Sequence, residues 1–255
     1  MKVVIVQMDI DWCKPMQNVE RAEKMVSAHP DADLFVLPEM WATGFVVEPE
    51  GFAEQEDDSV ALSWMKSVAR RQSCALSGSL AVRLADGSYR NRHYYVTPTD
   101  VYYYDKHHLF THGREHEHFT AGQQQVIVEW RSMRFLLLTC YDLRFPVWSR
   151  YGWAGKYDAI ICVANWPQKR MDAWRVLTHA RAIENQCYMI AVNRVGEDTA
   201  CSYEGGSMVI DPIGRTMVAC KENAEQSLVA TVSIEEINKA RNRFRVLSDG
   251  DYPMV

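Results

Sequence analysis

The sequence predicts an α/β fold in which sheets of mixed strand direction are covered by helices, and three observations lead there. Short apolar runs alternate with longer stretches whose apolar residues recur at helical spacing. Some neighbouring runs are separated only by turn residues, so antiparallel hairpins stand beside the βα units. With 255 residues, 47% of them hydrophobic, the chain can bury a sizeable core. No Gly/Ser-rich or Pro-rich run, internal repeat or long block of like charge interrupts it, so residues 1–255 are expected to form a single domain.

In chain order, Val3–Met8 reads as a strand, followed by a helix from about Met16 to Ser27. Asp33–Leu37 is a short buried strand stopped by Pro38-Glu39. Ser59–Arg71 carries apolar residues at helical spacing (Val60, Leu62, Trp64, Met65, Val68, Ala69), with Asp57 or Asp58 expected as its cap. Strands follow at Cys74–Val82, Arg92–Thr97 and Val101–Tyr104, with turns marked by Asp86-Gly87 and Pro98-Thr99-Asp100. Gln125–Trp130 and Arg134–Leu138 form an expected hairpin, and a helical stretch Leu143–Trp148 holds Pro146 in its first turn. Ala159–Ala164 is another buried strand, and a long helix from about Met171 to Asn185 leads to the strand Tyr188–Asn193. Gly206–Asp211, Thr216–Ala219 and Ser227–Val232 complete the sheets, and a helix Ile234–Phe244 precedes an irregular tail.

Composition removes several function classes. A formal charge of −5 gives no electrostatic footprint for nucleic acid. No apolar run approaches the ~20 residues that span a bilayer, and Val3–Val6 is too brief for a signal-peptide core. The seven cysteines, at 13, 74, 140, 162, 187, 201 and 220, are odd in number and contain no Cys-x-x-Cys pair. That argues against a disulfide framework or a zinc ribbon and for a cytoplasmic protein with reduced thiols.

The chemistry is expected where strands end. From Met133 to Val147 an apolar strand breaks abruptly at Thr139-Cys140-Tyr141-Asp142 and helix-compatible residues follow. A cysteine between a buried strand and a helix N-terminus has free backbone N–H groups beside it, which favour a thiolate and can hold an oxyanion. Glu39 follows the apolar run Leu34–Leu37 and Pro38, and Lys106 follows Val101–Asp105. Each alone has an ordinary reading, as a core thiol, a loop glutamate or a solvated lysine. Together they supply a nucleophile, a base whose pKa desolvation would raise, and a cation for the oxyanion. The flanks Thr139 and Tyr141 fit neither papain-type chemistry nor a Gly-x-Cys-x-Gly elbow.

The segments Leu37-Pro38-Glu39-Met40, Tyr104–Phe110, Cys140–Pro146, Ala164–Pro167, Arg181–Gln186 and Gly206–Pro212 stand in an order that resembles the nitrilase (carbon–nitrogen hydrolase) superfamily, most closely its ω-amidase branch. The resemblance spans essentially the whole chain. It implies a four-layer αββα sandwich, a homodimer formed through one helical face, and Glu39, Lys106 and Cys140 as catalytic residues. It also implies a second glutamate ahead of Gly122, which the spacing places at Glu115, with Glu117 as the alternative. The implied reaction is hydrolysis of a small linear amide through a cysteine thioester, without a cofactor. The implied substrate is the ω-amide of a 2-oxo dicarboxylic acid, such as 2-oxoglutaramate or 2-oxosuccinamate.

Trp41, Phe45, Tyr141, Asn165 and Trp166 follow motif ends and are expected to wall the pocket. A substrate carboxylate calls for a basic partner, and Arg114, Lys169 and Arg170 are the candidates nearest the motif ends. Asp142 and Arg144 are expected to fix the nucleophile turn, and Arg181 and Glu184 to form a structural ion pair on their helix. Five of the eight histidines fall between His107 and Phe119, yet they lack the convergent third ligand of a catalytic zinc site, so no metal is expected. Rival readings keep the chemistry with an N-carbamoyl amide or a nitrile as substrate, or make the chain a silent dimeric interaction module.

Overall fold

The computed structural model describes residues 1–250. The first half of the chain runs β1 (Lys2–Gln7), α1 (Pro15–Ser27), β2 (Leu34–Val36), β3 (Glu54–Gln55), α2 (Val60–Gln72), β4 (Ala75–Arg83), β5 (Tyr89–Val96) and β6 (Val101–Asp105). The one-turn helix α3 (Glu115–His118) leads to β7 (Ile127–Trp130), β8 (Met133–Thr139), a second one-turn helix α4 (Pro146–Ser149) and β9 (Ala159–Ala164). Then come α5 (Met171–Asn185), β10 (Tyr188–Asn193), β11 (Val195–Glu197), β12 (Ser202–Glu204), β13 (Met208–Ile210), β14 (Thr216–Ala219), β15 (Gln226–Thr231) and α6 (Ile234–Arg243).

Two sheets form on one plan. The first has the order β15-β1-β2-β4-β5-β6, with β3 pairing β4, and the second the order β14-β13-β10-β9-β8-β7. In each, three central strands are parallel (β1, β2, β4 and β10, β9, β8) and the flanking pairs are antiparallel. Strand periodicity sorts the side chains. Val3 and Ile5 of β1, Phe135 and Leu137 of β8, and Ile161 and Val163 of β9 pack between the sheets. Val4 and Val6 instead face a cluster with Ala22, Val26, Met65 and Val68 of α1 and α2, and Leu136 and Leu138 face Trp174 and Ala182 of α5. The layers are therefore helix, sheet, sheet, helix. Strands buried on both faces must read as continuous apolar runs, and these do.

The elements depart from expectation in several places, β3 and α3 among them. Helix α2 is capped by Ser59, not Asp57 or Asp58: its Oγ accepts from Leu62 N–H at 2.9 Å, while Glu54 Oε1 accepts from Val60 N–H at 3.0 Å. The helix expected after Cys140 is a 3₁₀ turn over Cys140–Arg144 broken from α4 at Phe145, whose φ and ψ of −112° and 90° are extended. A two-stranded ribbon, β11 and β12, was not expected. The expected tail holds a 3₁₀ turn at Val246–Asp249, and its last five residues lie outside the described range.

Candidate active site

Glu39, Lys106 and Cys140 come off the ends of β2, β6 and β8 and meet at one end of the sandwich. Lys106 Nζ donates to Glu39 Oε1 at 2.8 Å and to Glu115 Oε2 at 2.9 Å, and all three side chains are fully buried. Glu115 starts α3 and reaches back to accept Phe110 N–H at 2.6 Å. Glu39 Oε2 accepts Asn165 N–H at 2.8 Å, and Cys140 Sγ approaches the Asn165 carbonyl at 3.9 Å, so one residue at the end of β9 touches both. Gly122 lets the chain return over Lys106: its N–H donates to Lys106 O at 3.0 Å, and a Cβ there would lie 2.1 Å from Asp105 O.

The electrostatics follow from burial. Burial works against the Lys106 charge, but Glu115 and Glu39 outweigh it and hold its pKa above the ordinary lysine value. Burial raises Glu115, with Lys106 pulling the other way. The Cys140 thiol is pushed well above its ordinary range by burial and then by Glu39, against the pull of Lys106. Burial thus favours the protonated thiol. The 3₁₀ turn supplies little dipole to change that, being a single turn.

The Cys140 backbone sits in the left-handed region at φ 46°. Asp142 fixes this turn: its Oδ2 accepts Thr139 N–H at 3.0 Å and the Tyr104 hydroxyl at 2.7 Å, and its Oδ1 accepts His108 N–H at 2.9 Å and pairs with His108 Nδ1 at 2.8 Å. The lysine loop and the Cys140 turn are thereby bolted together. His107 stacks on Trp148 and His108 on Phe145, with centroids 3.8 and 3.7 Å apart. Among the described residues no three His, Cys, Asp or Glu side chains are grouped to hold a metal.

Above Cys140 opens a cavity of about 500 Å³, lined by Cys140, Tyr141, Asn165, Trp166, Phe45 and Phe110 among others. Arg170 and Arg144 also line it. Arg170 lies over the Phe110 ring at 5.3 Å and Arg144 over the Trp166 ring at 4.9 Å.

Three expected pocket residues lie elsewhere. Trp41 is fully buried between the first sheet and α2, 5.1 Å from the Trp64 ring, because the left-handed Met40 (φ 42°) turns the chain away from the Glu39 side. Arg114 points into solvent and pairs with Glu117 at 2.6 Å, which also places Glu117 outside the cluster. Lys169 is exposed on the 3₁₀ turn Gln168–Arg170, of which only Arg170 reaches the cavity. Arg144, expected only to fix the turn, instead lines the cavity. Asn91 of β5 escaped the sequence reading altogether; its Nδ2 donates to Glu39 Oε1 at 2.8 Å and Glu115 Oε1 at 2.9 Å. A polar strand, Tyr-Arg-Asn-Arg-His, inside a domain was the available signal.

The carbon-nitrogen hydrolase family profile matches residues 2–242. Omega-amidase YafV of Escherichia coli (strain K12) is 38% identical over 253 residues, covering 98% of this chain and 97% of that protein. The 2-oxoglutaramate amidase of Bacillus subtilis (strain 168) is 33% identical, covering 95% of each. Among solved structures, a CN-hydrolase superfamily protein from Xanthomonas campestris with an arsenic adduct in its active site is 36% identical. It superposes with a TM-score of 0.94 over 98% of this chain and 97% of that one.

Proposed function

Since the chain belongs to the carbon–nitrogen hydrolase family, we propose that it is an ω-amidase that hydrolyses the terminal amide of a 2-oxo dicarboxylic acid monoamide, 2-oxoglutaramate or 2-oxosuccinamate, with Cys140 as nucleophile. Glu39 takes the Cys140 proton as the sulfur attacks the amide carbon. Lys106 and the Tyr141 N–H hold the oxyanion. Glu39 then hands the proton to the departing ammonia, leaving a thioester on Cys140. Water, deprotonated by Glu39, attacks the thioester and releases the dicarboxylate and the thiol. Glu115 orients Lys106 by accepting one of its hydrogens in a bond forked between Oε2 and Oε1, at 2.9 and 3.2 Å, and Glu39 takes a second, so that the third is left for the oxyanion. Residues 1–255 work as one catalytic domain and need no cofactor.

The observation that carries the substrate class is the pair Arg144 and Arg170. Both guanidinium groups line the cavity against aromatic faces, and neither is among the ion pairs formed by the described residues. A carboxylate at the far end of a short amide meets them there, and Asn165, Trp166, Tyr141 and Phe45 shape the walls between. The test is ammonia release from 2-oxoglutaramate, 2-oxosuccinamate, neutral amides of equal length, N-carbamoyl amino acids and nitriles. The 2-oxo monoamides should lead, and Arg170→Ala or Arg144→Ala should lower kcat/KM for them by about 30-fold or more, some 2 kcal/mol, while sparing neutral amides. A wild-type preference for neutral amides, carbamoyl amino acids or nitriles rejects the substrate assignment.

The outward face of α5 supports a homodimer. Val176 and Ile183 are 67% and 52% exposed there, and Ile213 beside them is 51% exposed. All seven cysteines are free thiols, which suits a cytoplasmic location. No described helix is long and apolar enough to cross a membrane.

A further inference from the structure

Asn91 sits at the centre of the buried cluster, 1% exposed, and the proposed chemistry gives it no role. Its Nδ2 group spends both hydrogens on carboxylates, one on Glu39 Oε1 and one on Glu115 Oε1. Its Oδ1 accepts the Ser79 hydroxyl at 2.9 Å, and Ser79 Oγ in turn accepts Met40 N–H at 2.9 Å. This chain decides which end of the amide is which, because the reverse orientation would set a carbonyl oxygen against two carboxylate oxygens.

A carboxylate has about four acceptor positions. Those of Glu115 are filled: Oε1 takes Asn91 and Lys106, and Oε2 takes Lys106 and Phe110 N–H. Glu39 Oε1 is filled in the same way by Asn91 and Lys106, whereas Glu39 Oε2 has only Asn165 N–H. One acceptor position in the whole buried pair is left for a proton. It is on the oxygen bonded to the residue whose carbonyl meets Cys140 Sγ.

We propose that Asn91 is a positioning residue that directs the Cys140 proton to Glu39 Oε2 by closing the Oε1 atoms of both glutamates. The inference rests on the reading of Glu39 as base and Cys140 as nucleophile. Without Asn91, one position opens on Glu39 Oε1 and another on Glu115 Oε1. The proton then divides among three places, two of them on oxygens with no bond to Asn165, the residue that meets Cys140 Sγ. Hydrogen bonds that favour the ionised carboxylates are lost as well, which raises the pH at which the base becomes competent.

The test compares Asn91→Ala, Asn91→Asp and Ser79→Ala with wild type. It measures kcat and KM against pH, and the pH dependence of Cys140 alkylation by iodoacetamide. Asn91→Ala should lower kcat roughly 10- to 100-fold, on the scale of one proton-transfer group, with KM within about threefold. The acid limb of kcat and of alkylation should move up by about one pH unit. Asn91→Asp can donate at most one hydrogen and should show the same two changes. Ser79→Ala frees the amide to turn and should show both at a few-fold smaller scale, which keeps the test decisive if the Asn91 variants do not fold. Acid limbs that stay at the wild-type position, or losses carried by KM, overturn the proposal while leaving the nucleophile assignment intact. A wild-type Cys140 no more reactive than the other thiols overturns both.

Discussion

Replacing Lys106 by Met leaves the volume nearly unchanged and takes away the one cation bonded to Glu39 and Glu115 among the described residues. The ammonium lies 2.8 Å from one carboxylate and 2.9 Å from the other, with every side chain fully buried. Removing one partner from a buried ion pair costs about 3–5 kcal/mol, because a charge stays in low dielectric without compensation. For a chain of this size each kcal/mol shifts the melting temperature by about 2–4 °C, so Lys106→Met should melt roughly 6–20 °C below wild type. The deficit should depend on pH, and its sign is fixed by Glu115. Burial already raises the Glu115 pKa against the pull of Lys106, and losing that pull raises it further. A group whose folded pKa exceeds its unfolded value stabilises below the unfolded pKa and loses that contribution as pH rises through the folded pKa. Lys106→Met should therefore lie closest to wild type near pH 5 and furthest at pH 8. Thermal unfolding of both proteins across that range measures it. A deficit below about 1 kcal/mol, or one that does not change between pH 5 and 8, would refute the burial and pairing described here.

Cys140→Ala should reduce turnover at least a thousandfold with little change in melting temperature, since a single thiol at a strand end is lost rather than core volume; retained activity would remove Cys140 as nucleophile. EDTA or phenanthroline should leave turnover of 2-oxoglutaramate unchanged, and a loss restored by zinc would contradict a metal-free site. Burial lowers the His93 pKa to about 3, its Nδ1 facing Leu138 O at 3.1 Å across the two sheets. Stability should then fall by up to about 1.4 kcal/mol per pH unit as pH drops from the unfolded value near 6.5 toward 3, while His93→Gln should flatten that slope. Gly122→Ala should destabilise the protein and cut kcat together, because its Cβ would meet Asp105 O at 2.1 Å beside Lys106.

How much was legible in the sequence depended on whether a residue's environment is set by its own strand or by another. The run Val3–Val6 announces a strand buried on both faces, since each residue meets a helix layer or the other sheet whatever the topology. Glu39, Lys106 and Cys140 stand out because polarity changes abruptly where an apolar strand stops. Trp41 misled for the same reason, in that it follows a motif end, and only the left-handed Met40 sends it into the core. The turn after Cys140 looked helical because nothing in Leu143–Trp148 shows that Phe145 is extended. The basic residues were hardest. Lys169 and Arg170 are neighbours on one 3₁₀ turn and part company only by which way that turn faces, while Arg144 turns toward the cavity from a segment whose neighbour Asp142 is buried.

Asn91 shows where such reading stops. In β5 it lies opposite Ala81, and its partners come from β4, the end of β2, the lysine loop and α3. The one local signal is weak, since Tyr89–His93 carries arginine on both sides of the asparagine and does not single it out. Its importance lies in acceptor positions on two glutamates that are 76 residues apart in sequence, at 39 and 115. Those positions exist only once β2, β4, β5 and β6 have come together and α3 has folded over the lysine loop. Glu39, Lys106 and Cys140 are thus announced by single strands, whereas the place of Asn91 between two carboxylates is visible only in the assembled cluster.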